Sequence, residues 1–238
     1  LSGKTADVKL SQRVAAQIRD EIIAGQIPAG SALRLIPLAE RLDVSTTPVR
    51  EALAILERQG LLVSEMHRGF FVAVISAKEI AGIYDVHAHI SELLAESATR
   101  RLTDEDIDEL EHLDVRMRAA TERGDAAEAG NCNHELHRRI NLKAGLPLLV
   151  CFLSETTPFV ARRQDPDIPG WAQQRMDGHH EILEALRRRE ARKAAELMGA
   201  HVRRAGAMAS AFAESHGGPE VDGTAASTAK RSGRALIS

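Results

Sequence analysis

The stretch that most constrains this chain is Asp43-Val-Ser-Thr-Thr-Pro-Val-Arg-Glu-Ala-Leu53. Leu38-Ala-Glu-Arg-Leu42 before it has the spacing of a short amphipathic helix, and Asp43 to Ser45 supply a tight turn. Ser45 or Thr46 then caps a second helix with Pro48 in its first turn, where the missing N–H costs nothing. Val49, Leu53 and Leu56 recur at i, i+4 and i+7 and fall on one buried face, while Thr47, Arg50 and Ala54 fall on another. Helix, tight turn and helix make a helix-turn-helix unit, and a short polar helix surface opening on Thr-Thr and an Arg suits the backbone and base edges of a DNA major groove.

An ordinary helical hairpin satisfies that stretch alone, and the residues downstream of it decide between the two. Gly60 ends the helix, and Leu61-Leu-Val-Ser-Glu-Met66 and Phe70-Phe-Val-Ala-Val74 are β-prone runs joined by His67-Arg-Gly69. A two-stranded hairpin after a helix-turn-helix is a wing, with the Arg68-Gly69 tip placed to enter a minor groove. Upstream, residues 1–9 read as a disordered N-terminus. Ser11 caps a helix with Val14, Ile18 and Ile22 at four-residue spacing, ending at Gly25. Ile27-Pro-Ala-Gly-Ser31 is a turn leading to Leu33-Arg34-Leu35, and Pro37 fits the start of the next helix. Residues 10–75 are thus expected to fold as a winged helix-turn-helix of three helices and a hairpin.

Ser76-Ala-Lys-Glu79 has the form of a capping box and opens a second domain, residues 76–213. Its periodicity predicts helices over 77–100, 104–122, 125–144, 147–164, 170–189 and 190–213, with almost no strand signal. The last boundary has no sequence marker, because Arg187 to Lys193 contains no breaker, so a seventh helix stays open. The fold class is mainly α: a winged helix followed by a six-helix antiparallel bundle. Residues 214–238, rich in Gly, Ser, Thr and Ala without periodicity, read as a disordered tail.

Bulk properties bound the function. A hydrophobic content of 44% in 238 residues suffices for real cores. Cys132 and Cys151 make neither a disulfide framework nor a metal knuckle, no apolar run reaches the roughly 18 residues of a membrane span, and no signal peptide core is visible, so a cytoplasmic protein is expected. The net charge is −3, with 9 Lys/Arg against 8 Asp/Glu in residues 1–75 and 19 against 23 in residues 76–213. That is a weak footprint for nucleic acid, and the expectation of DNA binding rests on the motif.

The helical domain carries a second chemistry. Asn133 and His137 are four apart on one helix, His179 or His180 lies on the fifth and His201 on the last. Facing helices of a bundle bring such side chains together, and three imidazoles plus an oxygen suit Zn, Ni or Mn. Ten histidines are spread through the chain, and a surface or hydrogen-bonded role is the ordinary reading of any one of them.

These residues carry a family resemblance. Val14-Ala-Ala-Gln-Ile-Arg-Asp-Glu-Ile-Ile-Ala-Gly25, Pro28-Ala-Gly-Ser31, Leu38-Ala-Glu-Arg-Leu-Asp-Val-Ser45, Thr47-Pro-Val-Arg-Glu-Ala-Leu53, Leu56-Glu-Arg-Gln-Gly-Leu-Leu62 and Arg68-Gly-Phe-Phe-Val72 resemble the GntR family of bacterial transcription regulators. The helical remainder resembles the FCD-type sensor domain of its FadR-like subfamily, or of the shorter VanR-like group. The residues that carry this are Leu136-His-Arg138 with Gly145, His179-His-Glu-Ile-Leu-Glu-Ala-Leu186 and Met198-Gly-Ala-His201. The resemblance covers residues 10–213. It implies a homodimer on two-fold symmetric, double-stranded operator DNA. It also implies a sensor that binds a small organic acid on a divalent metal and thereby changes operator affinity, most often relieving repression.

Carried over residue by residue, the resemblance assigns the metal to Asn133, His137, His179 and His201, choosing His179 over His180. DNA contact falls to Arg34, Ser45, Thr46, Thr47, Arg50, Arg68 and Gly69. An Arg common in the family after the turn Ser is Thr46 here, and another before the Leu-Ala pair is Ile36, so the family's operator sequence does not transfer. A further Arg, usual after Tyr-x-Val, is His87 here, which makes His87 an effector-binding candidate. Arg138, Arg139, Arg162 and Arg163 are possible hydrogen-bond donors to an acid, among which the sequence does not choose; Arg139 is the candidate carried forward. Two other functions compete. A metal-dependent hydrolase-like enzyme using the histidines lacks every catalytic signature, namely His-Glu-x-x-His, Gly-x-Ser-x-Gly and a phosphate loop. A DNA-binding protein whose helical domain only dimerises predicts that changing His137, His179 and His201 together to Ala leaves metal content and effector response unchanged.

Overall fold

The structure is a computed structural model that describes residues 2–161 and 168–215. Three helices open the chain: α1 (Ser2–Ile23), α2 (Leu35–Arg41) and α3 (Thr46–Arg58), with β1 (Ala32–Leu33) between the first two. Two strands follow, β2 (Leu62–Glu65) and β3 (Gly69–Val72). The rest is helical: α4 (Ala77–Thr99), α5 (Asp104–Glu122), α6 (Ala126–Lys143), α7 (Pro147–Ala161), α8 (Trp171–Arg187) and α9 (Ala191–Ser215).

Ser45 is the N-cap residue of α3, in extended conformation, but its side chain makes no capping hydrogen bond. Val49, Leu53 and Leu56 are fully buried, as their spacing predicts, and pack with Val14, Ile18 and Ile22 of α1. Each such side chain contributes about 1.5–3 kcal/mol on burial. The turn between α2 and α3 passes through Asp43 in the left-handed region, φ 52°, where Asp is among the few non-glycine residues tolerated. The hairpin β2–β3 pairs Leu62 with Val72 and Glu65 with Gly69. His67 at φ 64° and an Arg68 N–H donated to the Glu65 carbonyl close its turn.

Three expectations for this half need correction. Residues 2–9 are helical rather than disordered, so α1 starts well before Ser11, and Ser11 is a buried mid-helix residue instead of a cap. Nothing in Lys4 to Leu10 breaks a helix, and the pattern ahead of Ser11 lacked only a buried stripe. The sheet has three strands in the order β1-β3-β2, because Ala32 and Leu33 pair with Phe71 and Phe70. Pro37 does fall in the first turn of the next helix, α2, which begins at Leu35.

In the second half the predicted breaks fall where they were expected to within two or three residues. Ser76 caps α4 in a full capping box: the Glu79 N–H donates to Ser76 Oγ at 3.2 Å and the Ser76 N–H to Glu79 Oε2 at 2.9 Å. Thr103 and Asp106 do the same for α5. The boundary between α8 and α9 is made without glycine or proline. Arg189 adopts φ 59°, and its guanidinium donates to the Leu102 carbonyl and, at 2.5 Å, to Asp104. The tail expected from residue 214 lies outside the described residues from 216 onward, and α9 runs to Ser215. No described helix is long and apolar enough to cross a membrane.

Two large cores result, one in the winged helix and one among α4 to α9. Phe159 of α7 packs against both, and a Cβ added at Gly60 would lie 3.6 Å from its ring. This contact sets the winged helix against the bundle.

Candidate functional site

His137 on α6, His179 on α8 and His201 on α9 converge in the bundle. Their ring centroids are 5.2, 5.4 and 4.9 Å apart, and one ring nitrogen from each lies within 4.8 Å of the others. His179 Nε2 stands 3.2 Å from His137 Nε2. The packing needs a small residue beside it: a Cβ on Gly178 would sit 2.2 Å from His201 Nδ1. His180, the alternative to His179, is exposed, and the three-ring cluster does not include it.

The electrostatics keep these rings neutral. Burial pushes the His137 pKa well below the ordinary imidazole value, and the neighbouring rings push it further. His201 is lowered by burial first, then by His179 and by Arg204 and Arg175. His179 is lowered by burial, against the opposing pull of Asp114. Burial also raises Asp114, but the attraction of the nearby His179 ring and of Arg118, which donates to it, outweighs burial and holds the carboxyl below its usual range. Asp114 Oδ1 lies 3.5 Å from His179 Nδ1, and Oδ2 accepts from Arg118 Nε at 2.7 Å. The carboxylate therefore orients His179 with Nε2 toward the other rings, an arrangement typical of metal-ligating histidines.

Asn133 is one turn before His137 on α6, buried, with Oδ1 lacking a hydrogen-bond partner. Three neutral imidazoles whose ring nitrogens converge and one orphaned amide oxygen are the donor set a divalent first-row ion takes, so the residues present fit such a group.

One edge of this cluster opens into a cavity of about 670 Å³, within the size range of small-molecule sites. His87 lines it, with Nδ1 3.0 Å from Thr156 Oγ1 and its pKa lowered by burial to about 4. Arg139 does not line it. That guanidinium is held on the outer face by Glu135 at 2.8 Å and by Glu109, two acidic side chains that leave it no role in the cavity. Arg138 reaches the rim, while Arg162 and Arg163 lie outside the described residues.

Sequence reasoning missed Asp114 and Arg175. Asp114 sits in the apolar stripe Leu110, Leu113, Met117 of α5, and a carboxylate on a buried face was the available signal. Arg175 lines the cavity from α8. The opposite wall comes from the winged helix: Arg19 and Ile23 of α1, and Gln59 and Leu61 just after α3.

The DNA-facing candidates stand apart from this cavity. Ser45, Thr46, Thr47 and Arg50 lie at the start of α3, with Thr46 and Thr47 four and three residues before Arg50 on the same surface. Arg34 occupies the N-cap position of α2. Arg68 and Gly69 form the hairpin tip, Arg68 pairing with Glu65 and lying 5.2 Å above the Phe71 ring.

Known proteins share this domain order and fold. Residues 10–72 match the family described as bacterial regulatory proteins, gntR family, and residues 82–204 match the FCD domain. The HTH-type transcriptional regulator McbR of Escherichia coli (strain K12) is 24% identical over 79% of this chain and 87% of its own length. A gluconate operon transcriptional repressor of Bacillus licheniformis is 34% identical over 49% of this chain and 47% of its own. The solved structure of E. coli McbR/YncC shares the fold with a TM-score of 0.70 at 21% identity, covering 82% of this chain and 94% of that one. A GntR transcriptional regulator from Rhodococcus sp. RHA1 does so with 0.65 at 24% identity, over 84% and 96%. With a helix-turn-helix and wing at one end and an FCD domain spanning more than half of its residues, the chain belongs to the GntR family of bacterial transcription regulators.

Proposed function

We propose that this protein is a repressor that binds a two-fold symmetric operator as a homodimer, and that a small organic acid held at a divalent metal in the helical domain sets its operator affinity. The observation that carries the reading is the shared cavity: the histidine cluster forms one end and winged-helix residues form a wall. His137, His179, His201 and Asn133 would hold the ion, which supplies a Lewis-acidic anchor for a carboxylate. Zn, Ni and Mn all suit this donor set. His87, held by Thr156, presents a polar edge to the acid. Thr47 and Arg50 read base edges or phosphates in the major groove, and Arg68 with Gly69 lies along the backbone or minor groove.

Coupling follows from packing. An acid in the cavity presses on residues in van der Waals contact with both cores, Phe159 above all, and so favours one placement of the winged helix over the other. The shift in operator affinity equals the acid's difference in affinity for the two placements, typically about 1–3 kcal/mol.

The test uses an operator duplex selected by the intact protein from a randomised pool and measures its affinity by fluorescence anisotropy while small organic acids are screened. At least one acid lowers affinity fivefold or more, about 1 kcal/mol. The variant with His137, His179 and His201 all changed to Ala binds DNA but ignores that acid. No selected sequence, or an unaltered response in the triple variant, contradicts the reading.

A further inference from the structure

The face of α8 that brings His179 to the cluster continues toward the first turn of the helix with three side chains that carry unpartnered polar atoms. Trp171, Gln174 and Arg175 stand at i, i+3 and i+4, and His179 follows four residues after Arg175, so the four share one stripe. Trp171, Gln174 and Arg175 line the cavity. Trp171 Nε1 and Gln174 Oε1 are buried without a hydrogen-bond partner, and the Gln174 amide is oriented by donating Nε2 to the His201 carbonyl at 2.9 Å. Arg175 is partly buried and has neither an ion pair nor a hydrogen bond among the described residues. Elsewhere in the helical domain the half-buried guanidiniums are matched: Arg118 has Asp114, and Arg187 has Asp108 and Glu111.

A partly buried guanidinium without a counter-ion is unfavourable, and a buried donor and a buried acceptor left bare on the same stripe add to the cost. The charge of the cavity has the same consequence. The cluster itself is neutral, Asn133 brings no charge, and the nearby carboxylate Asp114 is taken up by Arg118 and His179. Glu155 is the one carboxylate in the cavity lining, against Arg19, Arg138 and Arg175, so with a divalent ion on the histidines the lining carries a net positive charge. One turn of helix, about 6 Å of rise, separates Arg175 from His179.

We infer that Arg175 is a second effector anchor, pairing with an anionic group that also accepts from the Trp171 Nε1–H, and that the effector is a small acid with two negative charges, one at each end. The charge at the histidine end rests on the metal proposed above; the charge at Arg175 does not. Trp171 therefore both donates to the effector and reports on it.

Trp171 is the only tryptophan in the chain, so its emission reads occupancy directly. The experiment titrates the zinc-supplemented full chain with succinate, glutarate and adipate, and with the monocarboxylates of the same chain lengths. In the wild type at least one dicarboxylate binds about tenfold or more tightly than its monocarboxylate, a difference of about 1.4 kcal/mol. Arg175→Gln reduces that preference to about twofold or less with zinc content unchanged, and Arg175→Lys, which keeps the charge, retains more of it. The inference is overturned by equal binding of the paired acids, by a preference that survives in Arg175→Gln, or by no saturable emission change with any dicarboxylate. A wild type that takes no zinc yet keeps an Arg175-dependent preference would contradict the metal reading and support this one.

Discussion

The two cores of this protein are built on different terms. Around Ile18, Leu53 and Leu56 the winged helix buries aliphatic side chains, and Ser11 is its one buried polar residue among those described. The bundle core buries Asp114, Asn133, Asn141, His179 and His201 besides its leucines, and most of the orphaned polar atoms are there. The first core is organised for stability of shape, so that α3 is presented on a rigid support. The second holds desolvated polar groups with unmet hydrogen bonds, the condition that the proposed effector site would use.

The difference is broken most severely from the apolar side. Leu53→Ala removes a fully buried side chain from the winged helix and costs that unit about 2–5 kcal/mol. Hydrogen exchange should report loss of protection in α1 and α3 with little change in α4 and α9. Loss spread equally over both halves would show that the two cores form one cooperative unit.

A smaller effect sharpens the polar side. His87 has a folded pKa of about 4 against about 6.5 unfolded. The native state keeps the ring neutral where the unfolded chain binds a proton, so stability is full above about pH 6.5 and falls as the pH drops toward 4. The contribution is at most about 3 kcal/mol. In chelator-treated protein, urea unfolding at pH 7.5 and pH 4.5 should differ less for His87→Gln than for the wild type. An unchanged difference would remove His87 from the account.

Much of this contrast was legible in the sequence, for physical reasons that differ along the chain. Glycines, prolines and capping residues such as Ser76 and Thr103 mark helix ends chemically, so the bundle boundaries emerged within two or three residues. The β1 strand is two residues long and carries no alternation to detect. The break at Arg189 depends on Leu102 and Asp104, which are far away in sequence. His179 was separable from His180 only by resemblance, whereas in the fold its ring meets those of His137 and His201. Arg139 was one of four arginines among which the sequence does not choose, and Glu109, thirty residues earlier, claims it. Arg175 was invisible because an unpaired arginine is recognised by what fails to surround it.

The smallest expected effect concerns orientation. Asp114→Asn keeps the shape but weakens the partner of His179 Nδ1 and should lower zinc affinity by about 10–100-fold, or about 1.4–2.7 kcal/mol. Competition with a chelating dye measures it, and an unchanged affinity would reduce Asp114 to a structural residue.

Native mass spectrometry of the intact protein, after incubation with zinc, tests the central claim most directly. The account predicts a dimer carrying one ion per subunit, and a variant with His137, His179 and His201 changed to Ala that stays dimeric with none. A wild-type dimer at its bare polypeptide mass, or ions retained by the triple variant, would contradict it.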